Sequence, residues 1–440
     1  MSKPIKKQCL KQDIQIQSID GVLFSPVFPE VLFEISQKIK SKGGDSYLVG
    51  GWVRDALLGL ESRDFDIEVY RLSQEELIEI LSQYARPNLV GRAFGVIHLM
   101  YKTYALDFSF PRTENKIGKG HRGFLVQTHS DLSFEKAAYR RDFTINAMGM
   151  RLPDLSLEDP YDGKSDLKKK VLRHVGASFA EDSLRVLRGV QFASRFSLSL
   201  DIQTAALCRS LSIADLSFER IFEEFKKWFL KPGKASYGLD AFLQMDLQRF
   251  FPEIQATHYS WSLLGEFLDH LQENSLDLID HNRCVLFFTA LLDQTQKLQD
   301  LQSFLAKITN EVKLIRDIEI LWKGKDLEVE QSFTDSQVRR LSLKLNGLFL
   351  AKYYWESHPL YQNEQSQKCL QALYQKAKDL DVFEKPPKAL LTGKLLVAEG
   401  LKPSPKFGVY IQECFEQQLE GKIKTQKEAI DWLRQVITSI

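Results

Sequence analysis

Apolar and polar positions change period repeatedly along the first third of this chain. Across residues 28–42, Val31, Leu32, Ile35 and Ile39 fall on one stripe, which predicts a helix. Residues 47–49 are continuously apolar and predict a short strand; residues 52–58 predict a helix that stops near Gly59. DFDIEVY at 64–70 alternates with period two, the pattern of a strand with one covered face. SQEELIEILSQYA at 73–85 places Ser73 three residues before Glu76, a capping box that opens another helix. Strand-like runs follow at 95–101 and 104–110. The order helix–strand–helix–strand–helix–strand–strand predicts an α+β head built on a mixed β-sheet.

That regularity breaks at PRTENKIGKGHRGFLVQTHSD, residues 111–131, where Arg112, Lys116, Lys119 and Arg122 face one glutamate and three glycines. The composition predicts a mobile basic loop. From about residue 134 the pattern is helical almost throughout, with Pro and Gly interruptions near 160–163, 231–233, 252, 386–387 and 403–405. The expected division is a head at 1–150, a helical neck at 151–255, a helical body at 256–385 and a helical tail at 386–440.

Composition narrows the class without naming a partner. With 440 residues, 44% hydrophobic content and a formal net charge of +1, the chain reads as a folded multidomain protein whose global charge favours no polyanion. Cys9, Cys208, Cys284, Cys369 and Cys414 are scattered and form no CxxC pair, so neither a zinc knuckle nor a disulfide framework is expected, and a reducing, cytoplasmic setting fits. The basic N-terminus lacks an apolar signal core, and CVLFFTALL at 284–292 is too short to span a bilayer, so no membrane association is expected.

The chemistry concentrates in YLVGGWVRDALLGLESRDFDIEVY, residues 47–70. Asp64 and Asp66 are separated by one residue in a strand pattern, so both side chains leave the same face. Alone, such a pair also fits solvated acids on an edge strand. Gly50-Gly51 just upstream changes the reading. Residues without Cβ let the backbone turn sharply and approach a ligand, and amides at the start of the next helix can meet phosphate oxygens. Asp107, in YALDFSF, is either a third carboxylate for the same site or the partner of a nearby arginine. Hard oxygen ligands of this kind select Mg2+. The glycine pattern is neither a Walker loop nor a dinucleotide fingerprint.

Two further segments carry polar residues in unusual density. YRRDFTINAMGM at 139–150 holds Arg140, Arg141, Asp142 and Asn146. Arginine forks suit phosphate oxygens, Asp142 suits a ribose hydroxyl, and the alternative is a helix cap with a surface ion pair. FAEDSLRVLRGVQFASRF at 179–196 spaces Glu181, Asp182, Arg185, Arg188 and Arg195 along an apolar helix. Asp182 and Arg185 are three apart: either they read the hydrogen-bonding edge of a base, or they form a salt bridge worth ~0.2–0.5 kcal/mol.

Taken together, these segments resemble the class II tRNA nucleotidyltransferase and bacterial poly(A) polymerase family. The resemblance also runs through DPYDGKSDL at 159–167, LRHVGASFAEDSLRVLRGVQFASRF, SFERIFEEFKKWFLKPGKASYGLDAF at 217–242 and, more weakly, residues 391–433. It implies a polymerase-β-like nucleotidyltransferase head followed by all-helical neck, body and tail. On that footing Asp64 and Asp66 match the metal-binding carboxylates, and Gly50, Gly51 and Arg54 fall in the triphosphate motif. Arg141, Asp142 and Asn146 match the ribose-discriminating motif. Asp182 and Arg185 match the pair that selects CTP and then ATP, with Arg188 supporting the pocket and Glu181 orienting arginines. Ser183 and Gln191 depart from the residues expected around that helix.

The implied activity is template-independent addition of C, C and A to a tRNA 3′ end, with pyrophosphate released at each step. CTP and ATP both present an exocyclic amine beside a ring-nitrogen acceptor. GTP and UTP reverse part of that pattern and leave groups unpaired at ~1–3 kcal/mol each. The rivals are an A-adding or poly(A) enzyme on the same scaffold, and an inactive RNA-binding relic. The helical region beyond residue 200 is expected to hold the acceptor and T arms, and five lysines within 385–407 either reach phosphates or solubilise the tail. LDLIDHNRCVLFFTALLDQ at 276–294 has Asp280-His281 in reversed order, so no phosphohydrolase centre is expected there.

Overall fold

The computed structural model describes residues 15–90, 96–116, 124–128, 132–255, 260–328 and 332–438; the side chains of residue 90, 112–116 and 124–128 fall outside the description. The chain forms two compact units, one of residues 1–225 and 237–250, the other of 226–236 and 251–440.

The first unit is built on a seven-stranded mixed sheet. Its central strand is Asp64–Tyr70. The strand Asp45–Val49 pairs with it antiparallel on one side, and Tyr104–Ser109 pairs with it parallel on the other. Val96–Tyr101 and Asn88–Val90 continue the sheet beyond Tyr104–Ser109, and Gly149–Leu152 and Leu157–Glu158 extend it beyond Asp45–Val49. These last two strands lie in a stretch expected to be helical, and they carry the sheet past residue 150. They are too short for period-two alternation to show in sequence. Short strand pairs at Val171–Leu172 with Ser199–Leu200 correct the all-helical reading of the following region as well.

Burial sorts the two faces of the sheet. Phe65 and Ile67 point to the side covered by helices; the Phe65 ring lies 6.2 Å from Trp52 and 6.3 Å from Phe28. The helices Val31–Ser41, Gly51–Leu57 and Gln74–Leu81 occupy the expected places. Ser73 and Glu76 form both halves of the capping box. On the opposite face, the end near Tyr47 and Tyr70 is covered, and there Phe134 stacks on Tyr47 with ring centres 4.8 Å apart. Part of the expected basic loop is ordered as a ladder of Arg112–Lys116 with Phe124–Thr128. Lys119 and Arg122 lie outside the described residues.

The motif 159–167 acts as a buttress. Asp159 accepts from the amides of Gly163 and Lys164 at 2.7 and 2.9 Å and so starts the helix Gly163–Lys169. Asp166 accepts from the Thr144 hydroxyl at 2.8 Å, tying that helix to the short 3-10 turn Thr144–Asn146.

The second unit is helical, with ten helices of at least six residues from Trp261–Asn274 to Gln426–Thr438 among the described residues. Phe229 stacks on Phe287 at 4.7 Å in its interior. Leu391, Leu396, Cys414, Ile423, Ala429 and Leu433 form a separate small core near the C-terminus.

A Cβ at Gly163 would collide with the Thr144 carbonyl, which is backbone and cannot swing away. Gly163→Ala is therefore expected to destabilise the first unit by about 1–3 kcal/mol, measured by urea denaturation.

Candidate active site

The central strand places its acids by simple alternation. Asp64 and Asp66 are exposed, while Phe65 and Ile67 between and beyond them are buried. In the parallel pairing Asp66 stands opposite Asp107, so three carboxylates leave one face. Asp66 reaches solvent, yet its surroundings are largely protein. Desolvation holds its carboxyl above the ordinary range; Arg141 opposes this, and Asp107, Asp64 and Glu68 add to it.

Among the described residues Asp107 pairs with a histidine rather than an arginine. Its carboxylate meets Nδ1 of His98, across the ladder on the neighbouring strand, at 2.6 Å. Among the described residues, no group of three or more His, Cys, Asp or Glu side chains is drawn together as a ready metal site. The donor set that fits a hard divalent cation is thus the exposed Asp64–Asp66 pair, with Asp107 beside it but engaged.

Gly50 joins the strand Asp45–Val49 to the helix Gly51–Leu57 with φ 69° and ψ −129°, a conformation that side-chain-bearing residues resist. A Cβ there would sit 3.3 Å from Nη1 of Arg141 and 4.0 Å from Oδ2 of Asp66. Gly50, Asp66 and the Arg141 guanidinium therefore border the same small space. A separate cavity of about 580 Å³, lined by Asp45, Tyr47, Tyr70, Arg71 and Phe134 among others, lies toward the other end of this sheet and does not include the two aspartates.

Several motif residues take positions other than those expected. Arg54 lies beside the second glycine of the bend, its Nη2 3.4 Å from where a Gly51 Cβ would sit, but it is turned into the protein. It is 4% exposed, donates to Asp55 and to Oδ1 of Asn146, and lies over the Phe196 ring at 4.3 Å. Burial lowers its pKa, and the Asp55 charge opposes that effect. Asp142, expected to meet a ribose, is 7% exposed with both oxygens in use. Oδ1 accepts from the Phe143 amide at 2.8 Å and from Asn146 at 3.1 Å; Oδ2 accepts from Arg188 at 2.7 Å. Burial alone would raise this carboxyl, but Arg188, Asn146 and the Phe143 amide outweigh it and leave the pKa below the ordinary value. Asn146 bridges Arg54 and Asp142 from a 3-10 turn rather than from an α-helix.

Asp182 and Arg185 do not pair with each other. Asp182 precedes the helix Leu184–Phe196, accepts from the Leu184 amide at 3.1 Å and meets Arg220 at 3.3 Å. Arg185 donates to the carbonyls of Ser178 and Arg140 at 2.7 and 2.6 Å. The expected i,i+3 face fails because Asp182 lies outside the helix. Arg220 is a residue that local spacing could not have linked to Asp182, being 38 positions away. Glu68 continues the alternation that singles out Asp64 and Asp66, and that period-two pattern is the signal that marks it. Its Oε1 accepts from Arg141 at 2.8 Å and its Oε2 from the Tyr70 hydroxyl at 2.7 Å.

A mixed sheet bearing paired aspartates beside a diglycine bend defines a polymerase-β-like nucleotidyltransferase head. Residues 46–173 match the poly A polymerase head domain, and residues 280–433 match the putative tRNA nucleotidyltransferase domain 2. The multifunctional CCA protein of Chromobacterium violaceum is 38% identical over 254 residues, a match covering 56% of this chain and 58% of that one. The chain thus spans little more than half the length of this curated relative. The Bacillus stearothermophilus CCA-adding enzyme in complex with CTP superposes with a TM-score of 0.64 at 22% identity, covering 93% of this chain and 98% of that one. The Thermotoga maritima CCA-adding enzyme complexed with tRNA gives 0.59 at 20% identity, covering 93% and 96%. At these identities the structures show a shared fold. The chain belongs to the class II tRNA nucleotidyltransferase family.

Asp142→Asn removes the charge that balances Arg188 and is expected to cost about 3 kcal/mol at neutral pH, measured by urea denaturation. The depressed carboxyl contributes its stability above the ordinary value of 3.8 and loses it as pH falls through the lower folded value, so the gap to wild type narrows only below about 3.8. Asp66 has the opposite sign. Its raised pKa costs nothing below the ordinary 3.8 and costs fully above the folded value. With a chelator present, Asp66→Asn is expected to be more stable than wild type at neutral pH, by under ~1 kcal/mol because the group reaches solvent, and the gain should vanish in acid.

Proposed function

We propose that the protein adds nucleotides to the 3′ end of tRNA, taking C, C and A in turn from CTP and ATP and releasing pyrophosphate. The observation that carries this reading is the exposed Asp64–Asp66 pair on an open sheet face beside Gly50 and Arg141. Enzymes of this family use a divalent metal ion; here Asp64 and Asp66 would hold Mg2+, which supplies Lewis-acid stabilisation of phosphoryl charge. The bare Gly50 backbone leaves room for a triphosphate, and Arg141 borders that room with donors suited to phosphate oxygens. The attacking group is the terminal ribose hydroxyl of the tRNA: its oxygen bonds to the α-phosphorus as the α–β bridging bond breaks.

Arg54, Asp142, Asn146 and Arg188 act behind that surface, bracing the bend and the turn that carry it. Asp182 and Arg185 are assigned to reading the base edge. That role draws on hydrogen-bonding capacity now taken up by Arg220 and two backbone carbonyls. The helical second unit is assigned to holding the acceptor and T arms. A second reading, an A-adding or poly(A) enzyme, is favoured by the match of residues 46–173 to the poly A polymerase head. Among the described residues no helix is long and apolar enough to cross a membrane. The free, buried Cys208, Cys284, Cys369 and Cys414 suit the cytoplasm, the location proposed here.

Purified protein incubated with tRNA lacking its 3′ end and with each nucleoside triphosphate in turn is expected to incorporate C before A and neither G nor U. Use of ATP alone on general RNA would select the second reading. Asp64→Ala and Asp66→Ala should each lower incorporation by more than about 100-fold while leaving tRNA retention in a gel-shift assay near wild type. Asp182→Ala and Arg185→Ala should relax base choice, read as misincorporation of UTP and GTP in the same assay.

A further inference from the structure

Glu68 is the third acid on the alternating face, and it differs from the two before it. Asp64 and Asp66 are exposed; the Glu68 side chain retains 13% exposure and commits both oxygens. One accepts from Arg141 at 2.8 Å, the other from the Tyr70 hydroxyl at 2.7 Å. Tyr70 is itself fixed, 4% exposed and edge-on to Tyr47 with ring centres 5.3 Å apart. The carboxylate is therefore gripped from behind and presents a charged acceptor forward.

What it holds is a cation at the bend. Arg141 donates from Nη2 to Glu68 and, at 3.4 Å, from Nη1 to the Asn146 carbonyl. Two anchors on a planar group fix both its position and its plane. Its Nη1 stands 3.3 Å from the Cβ position of Gly50, and Asp66 Oδ2 lies 4.0 Å from the same point. The buried Nε of Arg141 has no hydrogen-bond partner among the described residues. A buried donor left unmatched is unusual and calls for an acceptor such as an arriving phosphate oxygen.

The alternative partner for Arg141 is Asp66 itself, whose charge it already feels. A guanidinium free to collapse onto that carboxylate would block an oxygen needed for a cation and turn its own donors away from the triphosphate. We propose that Glu68 is a positioning residue: by pairing with Arg141 it keeps the guanidinium off Asp66 and aimed at the phosphates of the incoming nucleoside triphosphate. This rests on the reading of the site as a nucleotidyltransferase centre.

A double-mutant cycle tests it. Glu68→Ala, Glu68→Gln, Arg141→Ala and the two doubles are compared by single-turnover incorporation of CTP and ATP into tRNA, with thermal melting as the check on folding. In the wild-type background Glu68→Ala is expected to lower the rate at saturating triphosphate about 10- to 100-fold, with a smaller change in the half-saturating concentration. Glu68→Gln, which keeps an acceptor for Arg141, should recover much of that loss. In the Arg141→Ala background neither Glu68 change should cost more than about twofold, because there is no guanidinium left to place. Equal losses in both backgrounds, or no loss in either, would overturn the positioning role. Should Glu68→Ala fail to fold, the Glu68→Gln arm decides on the same criterion, with a smaller expected loss. A wild-type protein that incorporates no nucleotide would instead bring down the underlying reading.

Discussion

The structure depends on one strand being held in one register. Phe65, Ile67 and Val69 are buried on the helix-covered side of the sheet, and Asp64, Asp66 and Glu68 leave the other. Burying each apolar side chain contributes roughly 1.5–3 kcal/mol. A slip by one residue would exchange the two sets and bury three acids, so hydrophobic burial on one face fixes the placement of charge on the other. The same constraint lets like charges stay close. Asp66 is raised by desolvation and by its acidic neighbours, and Arg141 offsets part of that strain. Packing energy from the reverse face thus sustains an arrangement that is unfavourable by itself and chemically useful.

Behind this strand a buried polar chain transmits position rather than charge. Asp55 and Asn146 hold Arg54, Asn146 reaches Asp142, and Asp142 closes on Arg188 from the helix Leu184–Phe196. Phe196 of that helix lies over Arg54, so one planar guanidinium takes both hydrogen bonds and ring contact. The diglycine bend, the Thr144–Asn146 turn and the long helix are therefore coupled within one unit. A lysine at position 54 would offer neither the fork nor the flat face.

Much of this arrangement was legible in the sequence where the signal was local. The alternation of DFDIEVY, the capping box at Ser73 and the diglycine bend each depend on residues a few positions apart, and each stands where expected. The strands Gly149–Leu152 and Leu157–Glu158 were hidden by their brevity. The Arg112–Lys116 and Phe124–Thr128 ladder was hidden by glycines and charges that favour a loop. Partner choice was the least legible feature, because it is set by tertiary contact. Arg54 finds Asn146 across 92 positions, and Asp182 finds Arg220 across 38. Asp107 meets His98 because two strands pair, and only the ladder register reveals it.

Spacing groups the motif acids and arginines together, and geometry separates them by how firmly each is held. Asp142 is 7% exposed and bound to Arg188 at 2.6 and 2.7 Å, so removing that partner strands a buried charge. Asp182 retains 31% side-chain exposure and meets Arg220 at 3.3 Å through both oxygens. Longer bonds and access to water lower the cost of changing partners, since solvent can take over an abandoned group. On the proposed function, a site that accepts two different bases in succession needs acids of both kinds: one fixed to keep the pocket in place, and one able to trade its partner for a base. The bonding of Asp142 suits the first requirement, and the weaker hold on Asp182 suits the second.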